Sequence, residues 1–188
     1  RFRWDEYMNI IGVIFARGGS KGIPNKNICH LAGKPLISWS IEHALATKRI
    51  RRVIVSTDSE EIAEIARLSG AETPFMRPKK LADDDAPEWL AWQHAIREVY
   101  REEVVLPDIM ISIPATAPLR NVEDIDLCLD EYLKGGVDGV VTVSEAHRNP
   151  WFNMVKINPD HLIELVNSPK SVGIFRRQDA PVVYDMTT

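Results

Sequence analysis

An almost wholly apolar run of eight residues, residues 9–16, stands near the start of the chain and ends at the glycine pair Gly18 and Gly19. A short apolar run that ends at turn residues predicts a strand buried on both faces, which is typical of parallel sheets. Because ligands of parallel α/β sheets bind beyond the carboxyl ends of the strands, the loop after this run is the first candidate site.

The alternation of strand and helix patterns continues along the chain. Further strands are predicted at residues 52–56, 71–75, 108–113 and 139–143, and helices at residues 36–47, 61–68, 83–103 and 121–134. This order predicts an α/β fold with a mainly parallel sheet that helices cover on both faces.

Composition limits the class of protein. A chain of 188 residues with 45% hydrophobic and 27% charged residues is globular, and its length fits a single domain. The net charge of −4 argues against nucleic-acid binding through a broad basic face. No apolar run approaches the roughly 20 residues that span a bilayer, so no membrane partner is expected. Cys29 and Cys128 match no metal or redox motif, and a cytoplasmic location is expected.

The two ends of the chain suggest a piece of a longer protein. The sequence starts without Met, and residues 184–188 have the pattern of a strand being entered. Between about residues 147 and 182 the regular alternation fades, and Trp151, Phe152 and Ile157 belong to an apolar patch. We expect an arm of the domain there and not an independent domain.

The loop at residues 17–27 combines three glycines with the cations Arg17, Lys21 and Lys26. Glycines let backbone N–H groups approach an anion, and Arg and Lys neutralise its charge. The combination favours a triphosphate, although neither GxGxxG nor GxxxxGK[ST] is present. A glycine turn with solvated lysines is the alternative explanation. The absence of GxGxxG disfavours an NAD-binding fold.

Several motifs, in order, resemble the acylneuraminate cytidylyltransferases (CMP-sialic acid synthetases). They are ARGGSKGIPNKNI at residues 16–28, LAGKPLI at 31–37, VSTDS at 55–59, RP at 77–78, LADD at 81–84, ATAPLR at 115–120 and RRQD at 176–179. The resemblance covers essentially residues 9–188. It implies a Rossmann-like nucleotidyltransferase fold, formed by one domain over residues 1–188, with a small dimerisation arm at about 147–182. The C-terminal part of the family's domain is not in this sequence.

The resemblance also implies an activity. Family members transfer CMP from CTP to the anomeric hydroxyl of a nine-carbon nonulosonic, sialic-acid-like sugar acid, and pyrophosphate leaves. Mg²⁺ is the implied cofactor, and a homodimer is the implied assembly. The metal-binding aspartates of the family would lie beyond residue 188, so the metal ligands stay unknown.

Site residues follow from the matched motifs. The resemblance assigns Arg17 and Lys26 to charge stabilisation at the reacting phosphate. It assigns nucleotide binding to Ser20, Lys21, Asn27, Arg77 and Asp84, and sugar binding to Thr116, Arg177 and Gln178.

Two departures from the family pattern concern the sugar side. Pro114 stands where the family usually has a sugar-contacting Gln, and Pro87 and Glu88 replace serines. Proline offers no side-chain hydrogen bond, so we expect a sugar pocket unlike that of the sialic acid enzymes. The turn after Pro114 resembles more the bacterial enzymes for legionaminic or pseudaminic acid. The sugar itself is not identified.

Two other functions remain open. One is a nucleotidyltransferase that acts on another sugar acid such as Kdo or uses another base, and the other is a non-catalytic nucleotide-binding module. The nucleoside triphosphate that raises the melting temperature distinguishes the first, and CTP binding without pyrophosphate release distinguishes the second. Asp83 and Asp85 are interpreted as helix-start residues, and the five histidines have no zinc-site spacing.

Overall fold

A computed structural model describes residues 8–20, 22–167, 174 and 176–186. Contacts divide the chain into two units, Arg1–Gly135 and Gly136–Thr188, which are described separately below.

The first unit contains five strands and four α-helices among its described residues. In chain order they are β1 (Ile10–Phe15), β2 (His30–Leu31), β3 (Lys34–Pro35), α1 (Leu36–Ala46), β4 (Arg52–Ser56), α2 (Glu60–Leu68), α3 (Glu88–Glu103), β5 (Ile109–Ser112) and α4 (Val122–Tyr132). Short 3-10 helices span Lys26–Ile28 and Lys79–Leu81.

A parallel sheet with the strand order β4-β1-β5 forms the centre of this unit, as the alternation of patterns predicts. Gly12 of β1 lies opposite Val53 of β4 and Ile111 of β5. Five of the six residues of β1 are buried, which is the burial expected of a strand with a neighbour on each side.

Helices cover both faces of the sheet. On one face, Ile14 packs in a cluster with Ile41 of α1, Ile62 of α2 and Ile125 of α4. On the other face, Ile11, Val13 and Ile54 pack against Ala95 and Val99 of α3. Alternate residues of β1 therefore enter two different cores, because successive side chains of a strand point to opposite faces.

The helix ends agree with the local sequence. The Ser59 hydroxyl accepts a hydrogen bond from the Ile62 N–H (3.4 Å) at the start of α2, and Gly70 follows that helix with φ +94°. Asn121 and Asp124 form a capping box at the start of α4. The prediction that a helix begins at residue 83 is wrong by five residues, because α3 begins at Glu88, directly after Pro87.

Two predicted strands differ from the structure. Residues 71–75 contribute only an isolated parallel bridge, between Glu72 and Ile54. Residues 139–143 do not form a strand of the parallel sheet. Instead, Val143 starts a short antiparallel strand in the second unit. A short run of Gly and Val residues is compatible with either kind of pairing, so the sequence alone did not separate the two.

The second unit contains two antiparallel strand pairs. Strands β6 (Val143–Glu145) and β9 (Tyr184–Met186) pair, and β7 (Val155–Ile157) and β8 (Ile163–Leu165) form a hairpin. The strand predicted at the end of the chain is thus confirmed for residues 184–186. Within the described ranges of both units, no helix is long and apolar enough to cross a bilayer.

Candidate active site

Three parallel strands of the first unit end at the same edge of the sheet. The chain passes from β1 to its neighbour β4 and then returns across β1 to reach β5 on the other side. The connections on the two sides use opposite faces, since α1 packs on one core and α3 on the other. The point between β1 and β5 is therefore the topological switch point, where open α/β sheets bind ligands.

The glycine loop after β1 is held to the neighbouring loop after β4. The Gly18 N–H donates to Asp58 Oδ1 at 3.0 Å. A Cβ atom on Gly18 would lie 3.1 Å from the Ser59 Cβ, which is closer than nearly all such contacts. This close approach of two loops explains why a glycine is needed at position 18.

Asn27 closes the same loop from its far end. Its side chain is only 6% exposed, and its Nδ2 donates to the Arg17 carbonyl at 3.0 Å. The amide thereby fixes the backbone from which the Arg17 side chain extends. The structure thus shows a loop-positioning contact for Asn27, and its predicted contact with nucleotide stays a prediction.

The Arg17 guanidinium reaches across the cleft to the segment before α3. Its Nη1 lies 2.8 Å from Asp84 Oδ1 and 3.3 Å from the Ala82 carbonyl oxygen. Both charged side chains are about one-third exposed, at 36% each. A partly exposed guanidinium held at an open cleft is in a position to bind an anionic oxygen.

Arg77 is a buried cation near the carboxyl end of β4. It is 7% exposed, its Nη2 donates to the Ser56 carbonyl at 2.7 Å, and its Nε has no hydrogen-bond partner in the described part of the chain. Burial lowers the pKa of Arg77, and the nearby charge of Asp58 opposes that shift. A buried guanidinium at the carboxyl end of β4 supplies fixed positive charge next to the glycine loop.

An open cleft of about 220 Å³ lies where these segments meet. It is lined by Arg17, Gly19, Asp58, Lys79, Ala82, Asp83 and Asp84. The cleft thus joins two of the predicted site residues, Arg17 and Asp84, with three charged residues that the sequence analysis did not assign to the site, Asp58, Lys79 and Asp83.

The remaining predicted site residues are distributed over both units. Ser20 and Lys26 are half-buried in the glycine loop, and Thr116 is exposed on the turn after β5. Lys21 lies outside the described residues. Arg177 and Gln178 belong to the second unit, in the 3-10 helix Arg177–Asp179.

Within the second unit, Arg177 contacts the segment that contains His147. Both Arg177 and Gln178 are exposed, and Arg177 Nη2 lies 3.3 Å from the His147 carbonyl oxygen to which it donates. Their predicted contact with the sugar acid stays a prediction.

Asp58 is the clearest functional candidate that the sequence analysis missed. Thr, Asp and Ser before a helical pattern are typical capping residues, so the sequence around Asp58 indicates a helix start and does not by itself indicate a binding site. A second signal was available: Asp58 lies two residues after the carboxyl end of a predicted parallel strand, the position at which such folds place ligand-binding groups.

The described residues contain no cluster of side chains that could by itself hold a metal ion. No group of three or more His, Cys, Asp or Glu side chains that could hold a metal ion occurs in them. Mg²⁺ characteristically keeps several waters and binds one or two carboxylates together with substrate phosphates. The cleft carboxylates Asp58, Asp83 and Asp84 are of the right chemical type for such a shared site.

Comparison with known proteins places the chain in a family. The sequence profile of the cytidylyltransferase family matches residues 11–187, which is nearly the whole chain. The chain belongs to the cytidylyltransferase family. Family membership confirms the predicted class of enzyme, a nucleotidyltransferase, and the sequence resemblance on which that prediction rested.

Curated relatives indicate the branch. The chain is 35% identical over 177 residues to post-translational flagellin modification protein B of Campylobacter coli, covering 94% of this chain and 74% of that protein. It is 42% identical over 127 residues to pseudaminic acid cytidylyltransferase of Campylobacter jejuni, covering 68% and 54%. It is 34% identical over 177 residues to CMP-N,N'-diacetyllegionaminic acid synthase of the same species, covering 94% and 74%.

These relatives confirm the resemblance to the bacterial enzymes for sialic-acid-like sugars. The match spans about half the length of the pseudaminic acid cytidylyltransferase.

Solved structures confirm the fold. CMP:2-keto-3-deoxy-manno-octonic acid synthetase superposes with a TM-score of 0.63 at 20% identity, over 95% of this chain and 71% of that one. The 4-diphosphocytidyl-2C-methyl-D-erythritol synthase of Anaerococcus prevotii superposes with a TM-score of 0.59 at 14% identity, over 96% and 69%. The predicted nucleotidyltransferase fold is therefore correct.

Proposed function

We propose that the protein to which this chain belongs transfers CMP from CTP to the anomeric hydroxyl of a nonulosonic sugar acid. The observation that supports this most directly is the Arg17 loop, which lies at the topological switch point of a cytidylyltransferase fold. Arg17 and Lys79 both line the open cleft. The relatives named for pseudaminic and legionaminic acids support the class of sugar.

The reaction requires one bond exchange at phosphorus. The anomeric hydroxyl oxygen forms a bond with the α-phosphorus, the bond from that phosphorus to the α–β bridging oxygen breaks, and the hydroxyl proton is released. Pyrophosphate leaves with the electron pair of the broken bond. Charge accumulates on phosphate oxygens, so catalysis depends mainly on positioning and on cations.

This chain supplies cations for that task. Arg17 and Lys26 would neutralise charge at the reacting phosphate, while Ser20, Lys21 and Asn27 would hold the rest of the triphosphate. Arg77 would contact the nucleotide on the β4 side. On the β5 side, Thr116 would face the sugar acid, because the second substrate has to approach the α-phosphorus from the other side of the cleft.

Mg²⁺ is part of the proposal as an ion brought by the triphosphate. Asp58, Asp83 and Asp84 are the carboxylates in the cleft that could complete its shell. When bound, Mg²⁺ would withdraw charge from the phosphate oxygens. A cytoplasmic location belongs to the same proposal, since CTP is a cytosolic substrate.

A homodimer formed by the second unit completes the proposal. Residues alternate along the β7–β8 hairpin, so Val155, Ile157 and Ile163 share one face, and these three side chains are 54%, 71% and 70% exposed. Lys156 and Glu164 form an ion pair on the other face (3.6 Å). An exposed apolar hairpin face of this kind is typical of interaction sites. In the dimer, Arg177 and Gln178 would reach a sugar acid.

Pyrophosphate release by the complete protein tests the function. The assay contains CTP and Mg²⁺ with pseudaminic, legionaminic and N-acetylneuraminic acids and with Kdo, and parallel reactions replace CTP by UTP or ATP. Release with CTP and a nine-carbon acid supports the proposal. Release with Kdo alone supports the eight-carbon alternative, and CTP binding without release supports a non-catalytic module.

A further inference from the structure

The carbonyl oxygen of Pro114, on the turn after β5, accepts hydrogen bonds from two side chains, one 74 residues and the other six residues away in sequence. Ser40 Oγ of α1 donates to it at 2.8 Å, and Arg120 Nη2 donates to it at 2.9 Å. The Ala117 N–H is a weaker third donor at 3.5 Å. One carbonyl with three donors is fixed in direction much more strongly than an ordinary turn carbonyl.

The carbonyl is the one polar backbone group that Pro114 can use for a hydrogen bond. Pro114 has no N–H with which to join the sheet hydrogen bonds, which end with Ile113 N–H donating to the Val13 carbonyl (2.9 Å). Beyond that point the turn is anchored by its carbonyl and by the buried side chain of Ala115. Thr116, which follows directly, is exposed at the carboxyl edge of the sheet.

The cost of burying Arg120 suggests more than a stabilising role. Burial lowers the pKa of Arg120, and its Nη1 is buried without a hydrogen-bond partner in the described chain. A partly buried cation with an unsatisfied buried donor adds little stability compared with an apolar side chain of similar size, whereas it can enforce one specific arrangement. The arrangement that it enforces here is the path of residues 114–116.

We propose that Ser40 and Arg120 are positioning residues that hold the turn 114–116 as the sugar-acid side of the site. The inference rests on the proposed function for the identity of the substrate. Its geometric basis is independent, because the turn borders the switch point between β1 and β5 on the side opposite Arg77. Neither residue contacts the reacting atoms in this scheme.

Paired serine variants of α1 test the role of Ser40. Ser40→Ala removes the hydroxyl that donates to Pro114. Ser38→Ala, the control, removes a buried hydroxyl from the same helix that instead contacts the Ser69 hydroxyl at 2.8 Å. We expect Ser40→Ala to raise the KM for the sugar acid about 3- to 10-fold, the effect of one lost hydrogen bond, with an unchanged KM for CTP. Ser38→Ala should change neither KM.

Arg120 is tested by Arg120→Lys and Arg120→Met. Lysine retains the charge but cannot reproduce the planar guanidinium donor, and methionine retains neither. Both variants should therefore raise the sugar-acid KM more than the CTP KM, and Arg120→Lys should raise the sugar-acid KM less than Arg120→Met. Equal changes in both KM values, or a lower melting temperature with unchanged kinetics, would overturn the positioning role.

Hydrogen exchange separates this inference from the proposed function. In the complete protein, Ser40→Ala and Arg120→Lys should speed amide exchange at residues 115–117 and leave residues 18–20 unchanged. If the wild type releases no pyrophosphate with any nonulosonic acid, the proposed function fails, and exchange alone decides the inference. Unchanged exchange at residues 115–117 would overturn it whatever the activity.

Discussion

The Arg17 guanidinium lies 2.8 Å from the Asp84 carboxylate, so the main candidate for binding substrate phosphate is paired with an anion of its own chain. Both side chains are 36% exposed, and an ion pair at that exposure contributes only about 0–1 kcal/mol. A triphosphate has more charge than one carboxylate and can displace it. The pair therefore holds Arg17 ready at the cleft without preventing substrate binding.

Arg17→Ala is expected to lower turnover by about 100- to 1,000-fold, the range found when a group that stabilises transition-state charge is removed. Pyrophosphate release at saturating CTP measures this. Arg97→Ala is the control, because Arg97 is an exposed cation on α3 whose contact is Gln93. A wild-type turnover number for Arg17→Ala would exclude the assigned role, and a changed melting temperature in that variant alone would indicate a folding defect.

If Asp84 acts on CTP only through its ion pair with Arg17, Asp84→Asn is expected to change the Kd for CTP by less than about fivefold, since the pair that it weakens is worth about 1 kcal/mol at most. The measurement is calorimetric titration of CTP with Mg²⁺ present. A loss of affinity well above this limit would show that the Asp84 carboxylate itself contacts the nucleotide, as the sequence resemblance implies, or the Mg²⁺ that accompanies the triphosphate.

Asp58 offers a prediction about the shape of the glycine loop. Asp58→Ala removes the acceptor of the Gly18 N–H, so we expect the KM for CTP to rise about tenfold, the cost of one hydrogen bond to a charged group. Asp58→Asn keeps an acceptor oxygen and should lie between that variant and the wild type. If Asn and Ala variants are equally impaired, the charge of Asp58 matters and the hydrogen bond does not.

The sequence allowed the central sheet to be predicted because its strands are nearly continuous apolar runs. Residues 9–16, 52–56 and 108–113 lie within one or two residues of β1, β4 and β5. The strand pairing of residues 71–75 and 139–143 was less predictable, because short runs of this kind pair with segments that are distant in sequence. Their final positions depend on tertiary structure, such as the single parallel bridge of Glu72 to Ile54.

The site was predictable at the level of motifs and not at the level of contacts. The loop cations were identifiable because glycine and Arg or Lys together indicate anion binding. The pairing of Gly18 with Asp58 and the donation from Ser40 to Pro114 join residues 40 and 74 positions apart. No local pattern contains such information, so these contacts became visible only in three dimensions.

Pro114→Gln tests whether this position selects the sugar. Glutamine adds a side-chain donor and acceptor where proline has neither, so the ratio of kcat/KM for N-acetylneuraminic acid to that for pseudaminic or legionaminic acid should rise. The backbone carbonyl at position 114 is present in the wild type and in Pro114→Gln, so the hydrogen bonds from Ser40 and Arg120 can persist. An unchanged ratio, with the turn intact by hydrogen exchange, would show that position 114 does not discriminate between these sugars.

The opposite end of the sheet contains a charge network that should make stability depend on pH. Arg52, at the start of β4, donates to Glu72, Glu102 and Glu103, and its side chain is 12% exposed. The hydrogen bond from Arg52 holds the pKa of Glu103 below its ordinary value. A carboxylate with a lowered pKa stabilises the folded state fully above its unfolded pKa of about 4.3. That contribution is lost as the pH falls through the lower folded pKa.

We therefore expect the free energy of unfolding to fall as the pH drops below about 5, and to fall less steeply in Glu103→Gln, which cannot gain that proton. Urea unfolding at a series of pH values measures both curves. Glu64→Gln, which removes an exposed carboxylate from α2, should leave the slope close to that of the wild type. Parallel curves for Glu103→Gln and the wild type would show that Glu103 binds its proton equally well in both states, contrary to its contact with Arg52.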